Sequence, residues 1–219
     1  MDVNKFRIRF LTDNDVQETI KLFANTYCAR EPVVRFLTQN IGYNFSAEKY
    51  VSKSKVHQKL SIVCEDVSKP IGEQIVGAQL YSGLKLKFNS SIDKHDVIEL
   101  ITHNLISEWI RLHPEFKFEE LIEKVFHLGG IAIKDEYENF GIGTKLIMES
   151  LNCAKQRGFQ IALLEASGYK TQKIFGEKLK FKEMNSIVYD KFEIDGRRVF
   201  KGLKSPQKII VYEKYLDSL

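Results

Sequence analysis

The sequence contains little that would divide it into separate parts. Only 4 of its 219 residues are proline, and no stretch rich in proline, glycine or serine interrupts it. Such stretches mark linkers, so their absence favours a single domain over residues 1–219. Hydrophobic residues make up 43% of the chain and charged residues 28%, which is the composition of a globular protein with a sizeable core.

Cysteine is also scarce. The 3 cysteines, Cys28, Cys64 and Cys153, lie far apart, and no two of them have the C-x-x-C spacing of a metal site. An odd and sparse set of thiols is typical of a reducing compartment. The sequence therefore predicts free cysteines and no metal cofactor.

Long apolar runs and dense basic stripes are absent as well. No run approaches the roughly 18 apolar residues of a membrane span, and residues 1–10 carry charges where a signal peptide would be apolar. The net charge is +4, and its basic residues are spread out, whereas nucleic-acid-binding proteins gather them into a stripe. We expect a cytoplasmic protein that binds neither a membrane nor nucleic acid.

Hydrophobic periodicity predicts strands and helices in a mixed order. Residues 6–10 alternate apolar and basic side chains like a half-buried strand, and apolar residues recur at helical spacing from Val16 to Tyr27. The other predicted strands are 60–64, 75–82, 125–133, 161–164, 187–194 and 209–215, with a hairpin arm at 197–201. The other predicted helices are 32–37, 46–56, 97–109, 118–124, 146–154 and 172–179.

A glycine-containing loop joins the predicted strand at 125–133 to the helix that follows. Glycine lets the backbone approach a ligand closely, because no Cβ intervenes. The first amides of a helix have no partner within the helix and lie at the positive end of its dipole. The segment from Gly141 to Thr144 therefore predicts a site for a pyrophosphate or a similar anion.

Two common nucleotide-binding motifs are excluded by spacing. The dinucleotide fingerprint G-x-G-x-x-G needs a third glycine where this chain has Leu146, and the pattern G-x-x-x-x-G-K-[ST] does not occur. What remains is a shorter anion loop, whose ligand is decided by the flanking residues.

Residues 131–143, IAIKDEYENFGIG, resemble the acetyl-CoA motif of the GNAT N-acetyltransferases. The family pattern is an apolar strand, a short turn, an aromatic residue and then [QR]-x-x-G-x-[GA]. Glu138 replaces the usual Gln or Arg and places a carboxylate beside the expected phosphates. The resemblance implies acetyl-CoA as co-substrate, held in a core at about residues 125–182. The implied cofactor-binding residues are Ile131, Ala132, Ile133, Glu138, Asn139, Phe140, Gly141, Ile142, Gly143 and Thr144.

The same resemblance implies the fold class, α/β with the GNAT fold. It is expected to be a single domain with a central mixed, mostly antiparallel twisted sheet, flanked by helices. A splayed pair of parallel strands would lie at the acetyl-CoA site. The strand at 131–133 would pair with the pantetheine arm through its main chain, and a backbone amide beside it would hold the thioester oxygen as negative charge develops.

Two further segments resemble the insect and nematode arylalkylamine N-acetyltransferases. Residues 30–33, REPV, resemble their Glu-Pro-Leu segment, whose glutamate is assigned as general base. Residues 165–175 resemble a stretch with two hydroxyl residues four apart, and residues 177–181 match E-K-L-G-F with Lys180 in place of Gly. The resemblance implies catalytic roles for Glu31, Ser167 and Thr171 in acetyl transfer to a small arylalkylamine.

The expected chemistry suits these residue types. An alkylammonium must lose a proton before its nitrogen can attack a thioester, and a buried carboxylate with a raised pKa can accept it. Since the amine attacks directly, no nucleophile such as Cys153 is required. Other roles are open: Glu31 can favour a helix start, Ser167 and Thr171 can cap a helix, and His127 can be a core histidine. Tyr169 is a further candidate proton donor.

The acceptor also stays open at this point. The aromatic residues Phe36, Tyr43, Phe45 and Trp109, if they line the acceptor groove, would favour arylalkylamines, whereas acidic residues there would favour polyamines. Amino sugars and protein amines are alternatives. Glu138 and Lys180 also allow a catalytically inactive module that binds coenzyme A. We expect a small-molecule amine as partner and a monomer or homodimer.

Overall fold

A seven-stranded sheet forms the centre of the fold in the computed structural model, which describes residues 5–51, 59–84 and 96–218. In chain order the strands are β1 (Phe6–Phe10), β2 (Ile62–Asp66), β3 (Ile75–Tyr81), β4 (Val125–Ile133), β5 (Ile161–Ala166), β6 (Lys182–Val188), β7 (Glu193–Ile194), β8 (Arg197–Arg198) and β9 (Lys208–Tyr215). Within the sheet they lie in the order β1-β2-β3-β4-β5-β9-β6, while β7 and β8 form a separate hairpin. Every neighbouring pair is antiparallel except β4 and β5.

The parallel pairing of β4 with β5 is short. It comprises Val125 with Ile161, Phe126 with Ala162, and His127 with Leu163. Beyond these residues β4 continues to Ile133 and β5 to Ala166, with no further pairing between the two strands. A gap therefore opens between their carboxyl ends. This confirms the predicted fold class, an α/β fold with a mixed, mostly antiparallel sheet and a splayed parallel pair.

Helices cover both faces of this sheet. They are α1 (Val16–Arg30), α2 (Pro32–Ile41), α3 (Ala47–Tyr50), α4 (Val97–Arg111), α5 (Phe118–Lys124), α6 (Ile142–Gln156) and α7 (Tyr169–Gln172), which continues as a π-helical segment over Lys173–Lys178. Within the described ranges, no helix combines the length and apolar character needed to cross a membrane.

Alternation along the strands decides which helix packs on which face. On β2, Val63 packs in the core cluster of α1, while Ile62 and Cys64 pack in the cluster of α6. The same alternation occurs on β9, where Val211 packs with α4 and Ile210 packs with α6. Helices α1 and α4 therefore lie on one face of the sheet and α6 lies on the other.

The helix boundaries follow the expected chemical signals. The Ser46 hydroxyl accepts a hydrogen bond from the Lys49 amide, and the Asp96 carboxylate accepts from the first amides of α4. Gly158 has a φ of 85° just after α6, in the left-handed region that favours glycine. Of the helix predicted at 46–56, α3 covers Ala47–Tyr50, and residues 52–58 lie outside the described ranges.

The prediction of one continuous strand over 187–194 is wrong. Strand β6 begins at Lys182 and ends at Val188, and a 3-10 turn over Tyr189–Lys191 separates it from β7. The Tyr189 ring is fully buried against Phe200, with centroids 5.1 Å apart, and the turn allows this burial. The start of β6 was missed because it is a sheet edge with largely exposed side chains, so no apolar alternation marks it.

Two further boundaries differ from the predictions. The predicted helix at 172–179 begins at Tyr169 and is π-helical from Lys173 to Lys178. The arm predicted at 197–201 is limited to Arg197–Arg198, because the chain turns again to bury Phe200.

A buried polar cluster joins α4 to β9 of the sheet. The indole Nε1 of Trp109 donates to Glu213 Oε2 over 2.9 Å, and His113 Nε2 lies 3.0 Å from the same oxygen. His113 Nδ1 lies 2.9 Å from the Trp109 carbonyl oxygen, which can only accept, so Nδ1 carries a hydrogen. All three side chains are buried, so Trp109 and His113 hold the carboxylate inside the protein.

We expect Glu213→Ala to lower the free energy of unfolding by about 3–5 kcal/mol, because it leaves the indole and imidazole buried without their acceptor. Urea denaturation measures this. Glu183→Ala on neighbouring β6 is the control, since Glu183 pairs with Lys208 at an exposed site and its loss is expected to change stability by about 0–1 kcal/mol. Equal effects of the two variants would contradict the prediction.

Candidate active site

A cavity of about 1050 Å³ opens where β4 and β5 diverge. Its wall is formed by the α1–α2 junction, α3, α4, the carboxyl ends of β4 and β5, and α7. This volume is slightly above the usual range for small-molecule sites, about 300–1,000 Å³. The cavity therefore has room for a large ligand.

Glu31 stands at the junction of α1 and α2 and faces this cavity. Its extended backbone interrupts the two helices, Pro32 starts α2, and the Glu31 Oε2 atom accepts a hydrogen bond of 2.6 Å from the Val34 amide. The other oxygen, Oε1, is buried and has no hydrogen-bond partner among the described residues. Glu31 therefore caps a helix and also presents an unpaired carboxylate oxygen.

Burial raises the pKa of Glu31, because a charged carboxylate loses its hydration there. The Ser167 hydroxyl, which lies beside the carboxylate without completing a hydrogen bond to Oε1, acts in the opposite direction. The amides of Val34 and Val33 also favour the ionised form. The net effect is a carboxylate that holds a proton more readily than an exposed one.

Aromatic side chains form the wall around Glu31. The Tyr27 and Phe45 rings stack with centroids 5.1 Å apart, and the Tyr27 and Tyr50 hydroxyls are 3.4 Å apart. Burial raises the pKa of Tyr50 to about 12, and the carboxylates of Glu165 and Glu31 add to the shift. These tyrosines therefore stay neutral at physiological pH and can act as hydrogen-bond donors.

Two of the four predicted groove aromatics line the cavity. Tyr43 and Phe45 do so, and the Tyr43 hydroxyl lies 3.2 Å from Asp96 Oδ1. Phe36 and Trp109 pack in the core beside α4. Aromatic composition alone could not distinguish the cavity residues Tyr43 and Phe45 from the core residues Phe36 and Trp109, because both pairs lie on helical or loop segments close to the same core.

Gly130 on β4 lets the tyrosines reach the strand. A Cβ at Gly130 would lie 2.3 Å from the Tyr27 hydroxyl oxygen and 2.5 Å from that of Tyr50. The register between β3 and β4 shifts at this point, between Gln79 and Tyr81. Gly130 and this irregularity thus place two hydroxyls directly over β4.

His127 and Glu165 tie β4 to β5 at the point where the strands part. His127 Nε2 lies 2.6 Å from Glu165 Oε2, and His127 Nδ1 contacts the Ser82 carbonyl oxygen. Since that carbonyl can only accept, the contact places a hydrogen on Nδ1. His127 is a buried histidine with partnered nitrogens, as expected for a core histidine, and it also lines the cavity.

The predicted anion loop has the required backbone. Asn139 and Gly141 have φ angles of 65° and 76°, and α6 begins directly afterwards at Ile142. The first amides of α6 therefore lie at the end of the loop without helical partners. Of the predicted cofactor residues, the cavity is lined by Ile131, Ile133, Glu138 and Gly143.

The remaining predicted cofactor residues have other surroundings. Ala132 is buried on the α1 side of β4, and Ile142 is buried between α6 and the sheet. Phe140 is partly exposed near Tyr137. The loop residues Asn139, Gly141 and Thr144 are not in the cavity wall. Their predicted contacts are largely main-chain contacts, so these assignments stay predictions.

Ser167 and Thr171 both line the cavity, and neither caps a helix. Gly168 occupies the N-cap position of α7, and no side chain caps that helix. Tyr169 also lines the cavity and is largely exposed. Cys153 lies on α6 outside the cavity wall, and burial raises the pKa of its thiol, which disfavours a nucleophilic thiolate.

No group of three or more His, Cys, Asp or Glu side chains suited to a metal ion occurs in the described part of the chain. No protein-family model matches the sequence, and no curated protein matches it.

Solved structures do match the fold over nearly the whole chain. Arylalkylamine N-acetyltransferase 2 from Aedes aegypti is 20% identical, with a TM-score of 0.72 and coverage of 97% of this chain and 100% of the other. The C-terminal condensation domain of Ebony, in complex with beta-alanyl-dopamine, is 16% identical, with a TM-score of 0.76 and coverage of 96% and 99%. The Drosophila melanogaster polyamine N-acetyltransferase that forms N-acetylagmatine is 11% identical, with a TM-score of 0.67 and coverage of 96% and 99%.

The chain has the GNAT fold. At these identities the likeness establishes the fold alone. The GNAT fold accounts for the splayed strands and the loop before α6.

Several cavity residues of this GNAT-fold chain were missed in the sequence. Tyr27 appeared there only as part of the apolar stripe of α1. Arg30, Tyr50 and Lys170 had no assigned role, although all of them line the cavity. The adjacent glycines at 129 and 130 were the available signal, since glycine inside a strand marks a close approach by other groups.

We expect Gly130→Ala to lower the free energy of unfolding by about 1–3 kcal/mol, because its methyl group collides with the Tyr27 and Tyr50 hydroxyls. Thermal denaturation measures the loss. Gly143→Ala is the matched control: its Cβ would meet only ordinary contacts at 3.8 and 3.9 Å, so stability should be unchanged or up to about 1 kcal/mol higher. A stable Gly130→Ala variant would show that the tyrosines can move away.

Proposed function

We propose that this protein transfers an acetyl group from acetyl-CoA to the primary amine of a small arylalkylamine. The observation that carries the proposal is Glu31, a buried carboxylate with a raised pKa and an unpartnered oxygen at the cavity formed by the splayed strands. This position supports the proposal that Glu31 is the base, because an acceptor amine and the cofactor arm would share the same cavity.

Three features of the site fit acetyl-CoA. The backbone of Ile131–Ile133 borders the gap beside β5, the amides at 142–144 lie at the positive end of α6, and Gly141 has open space where a Cβ would lie. We assign the arm of the cofactor to the strand and its pyrophosphate to the helix end. When bound, acetyl-CoA supplies the thioester carbonyl that a neutral amine attacks.

Glu31 is proposed as the base. An alkylammonium with a pKa near that of lysine, about 10.4, is protonated at neutral pH and must transfer its proton before attack. Glu31 Oε1 is the free acceptor for that proton, and Oε2 stays bound to the Val34 amide. Ser167 and Thr171, on the β5 side of the cavity, are proposed as the hydroxyl donors near the leaving sulfur.

The cavity wall favours an aromatic acceptor over a polyamine. Tyr27, Phe45 and Tyr50 provide flat faces against which an aryl ring can stack. The acidic residues Asp96 and Glu99, which would bind the second cation of a polyamine, already pair with Lys49 at 3.7 and 2.8 Å. The structural relatives include both an arylalkylamine and a polyamine N-acetyltransferase, so the acceptor has to be measured.

The test is thiol release from acetyl-CoA with tyramine, serotonin, agmatine, spermidine, glucosamine and a lysine peptide as acceptors. We expect kcat/KM to be highest for tyramine or serotonin. Higher kcat/KM for agmatine or spermidine would keep the acetyltransferase and exclude the arylalkylamine. Binding of acetyl-CoA without turnover on any amine would favour an inactive coenzyme A-binding module.

We expect Glu31→Gln to lower kcat by about 10²–10⁴-fold while the Kd for acetyl-CoA stays unchanged, because only proton acceptance is lost. Thiol release under saturating substrates measures kcat, and calorimetry measures the Kd for acetyl-CoA. Glu99→Gln is the control, since Glu99 also lines the cavity but pairs with Lys49, and its kcat should stay close to the wild-type value. Equal losses in both variants would exclude the base assignment.

The raised pKa of Glu31 also predicts how activity and stability depend on pH. Activity requires the ionised form, so kcat/KM should rise with pH through the raised pKa and then level off. A carboxyl whose pKa is higher in the folded state contributes stability below its unfolded pKa, about 4.3, and loses it as pH rises through the folded value. At pH 8, Glu31→Gln should therefore have the same or a higher Tm than the wild type.

A further inference from the structure

Glu138, which departs from the family pattern, is held by two cations from opposite sides of the gap. The Arg30 guanidinium, at the end of α1, pairs with Glu138 Oε1 through Nη1. The Lys170 ammonium, in α7 beyond β5, lies 2.8 Å from Glu138 Oε2. We name these three side chains the Arg30–Glu138–Lys170 bridge. It connects the loop after β4 with the helix after β5 and lines the cavity.

Arg30 makes further contacts on the exposed edge of β4. Its Nη2 donates to the Ile133 carbonyl oxygen over 2.6 Å and lies 2.9 Å from Asp135 Oδ1. Its Nε is buried and has no hydrogen-bond partner among the described residues. The guanidinium therefore covers main-chain groups of the strand that we assign to the cofactor arm, and it retains one unused donor.

The bridge joins groups that water still reaches. The exposed fractions of the side chains are 26% for Arg30, 31% for Glu138 and 77% for Lys170. Ion pairs in such surroundings are weak, so a ligand with more negative charge can replace the carboxylate. Hydrogen bonding to Lys170, and then the charge of Arg30, lowers the pKa of Glu138, so the carboxylate is ionised at neutral pH.

We propose that Glu138 occupies Arg30 and Lys170 in the free protein, and that both cations pass to the pyrophosphate of coenzyme A when it binds. The inference rests on the proposed function and adds to it. It assigns Arg30 and Lys170 as phosphate-binding side chains, and it makes Glu138 an internal competitor of the cofactor. The amides at the start of α6 and the two cations then act on the same anion.

The test compares the Kd values of coenzyme A and of pantetheine, which lacks the phosphates, by calorimetry. Glu138→Gln removes the competing charge and should bind coenzyme A about fivefold more tightly than the wild type. Lys170→Gln removes one cation and should bind it about fivefold more weakly. Neither variant should change the Kd of pantetheine.

The controls are Glu183→Gln and Lys208→Gln, which break a comparable exposed ion pair outside the cavity wall and should leave both Kd values unchanged. Unchanged or weaker coenzyme A binding by Glu138→Gln overturns the inference, and so does an equal gain for pantetheine. In either case the proposed function survives if the wild type binds coenzyme A. If the wild type binds no coenzyme A and no acetyl-CoA, the proposed function itself fails.

Discussion

The parting of β4 and β5 after His127 and Leu163 is the constraint on which the site depends. Backbone groups that lose a strand partner inside a protein must find another. Here the Ile133 carbonyl is met by Arg30, and the Tyr27 hydroxyl faces the Ile131 amide. Because these partners are side chains, they can give way to a ligand, which neighbouring strands of a sheet cannot do.

The second structural feature on which the site depends is the break between α1 and α2. One peptide separates Arg30, which reaches along β4, from Glu31, which faces the cavity. Proline at the first position of α2 fixes this break, and the Glu31 carboxylate stabilises it by accepting from the Val34 amide. The residue proposed for chemistry is thus also part of the local fold, which explains why a buried and partly unsatisfied carboxylate can persist there.

Periodicity predicted most of the fold because the core of this protein is built by regular alternation. It failed at Lys182–Val188, because this edge strand buries few side chains and shows no apolar alternation. It also failed at Tyr189, where the chain leaves the strand so that the tyrosine ring is buried. In the site, the loop before α6 was predicted from its glycines, and Glu31 and Ser167 were implied by the family resemblance. Tyr50 and Lys170 were not, because their positions depend on how distant elements pack, which no local spacing encodes.

The cavity wall is drawn from segments far apart in the chain, including Tyr27 and Glu31, Gly130, and Ser167. None of these segments forms the site alone, so it exists only once the whole sheet has assembled. A ligand bound there has affinity for the native state and none for partly folded chains. Such a ligand stabilises the entire fold by mass action, and its concentration in the cell becomes one of the factors that set how long the protein survives.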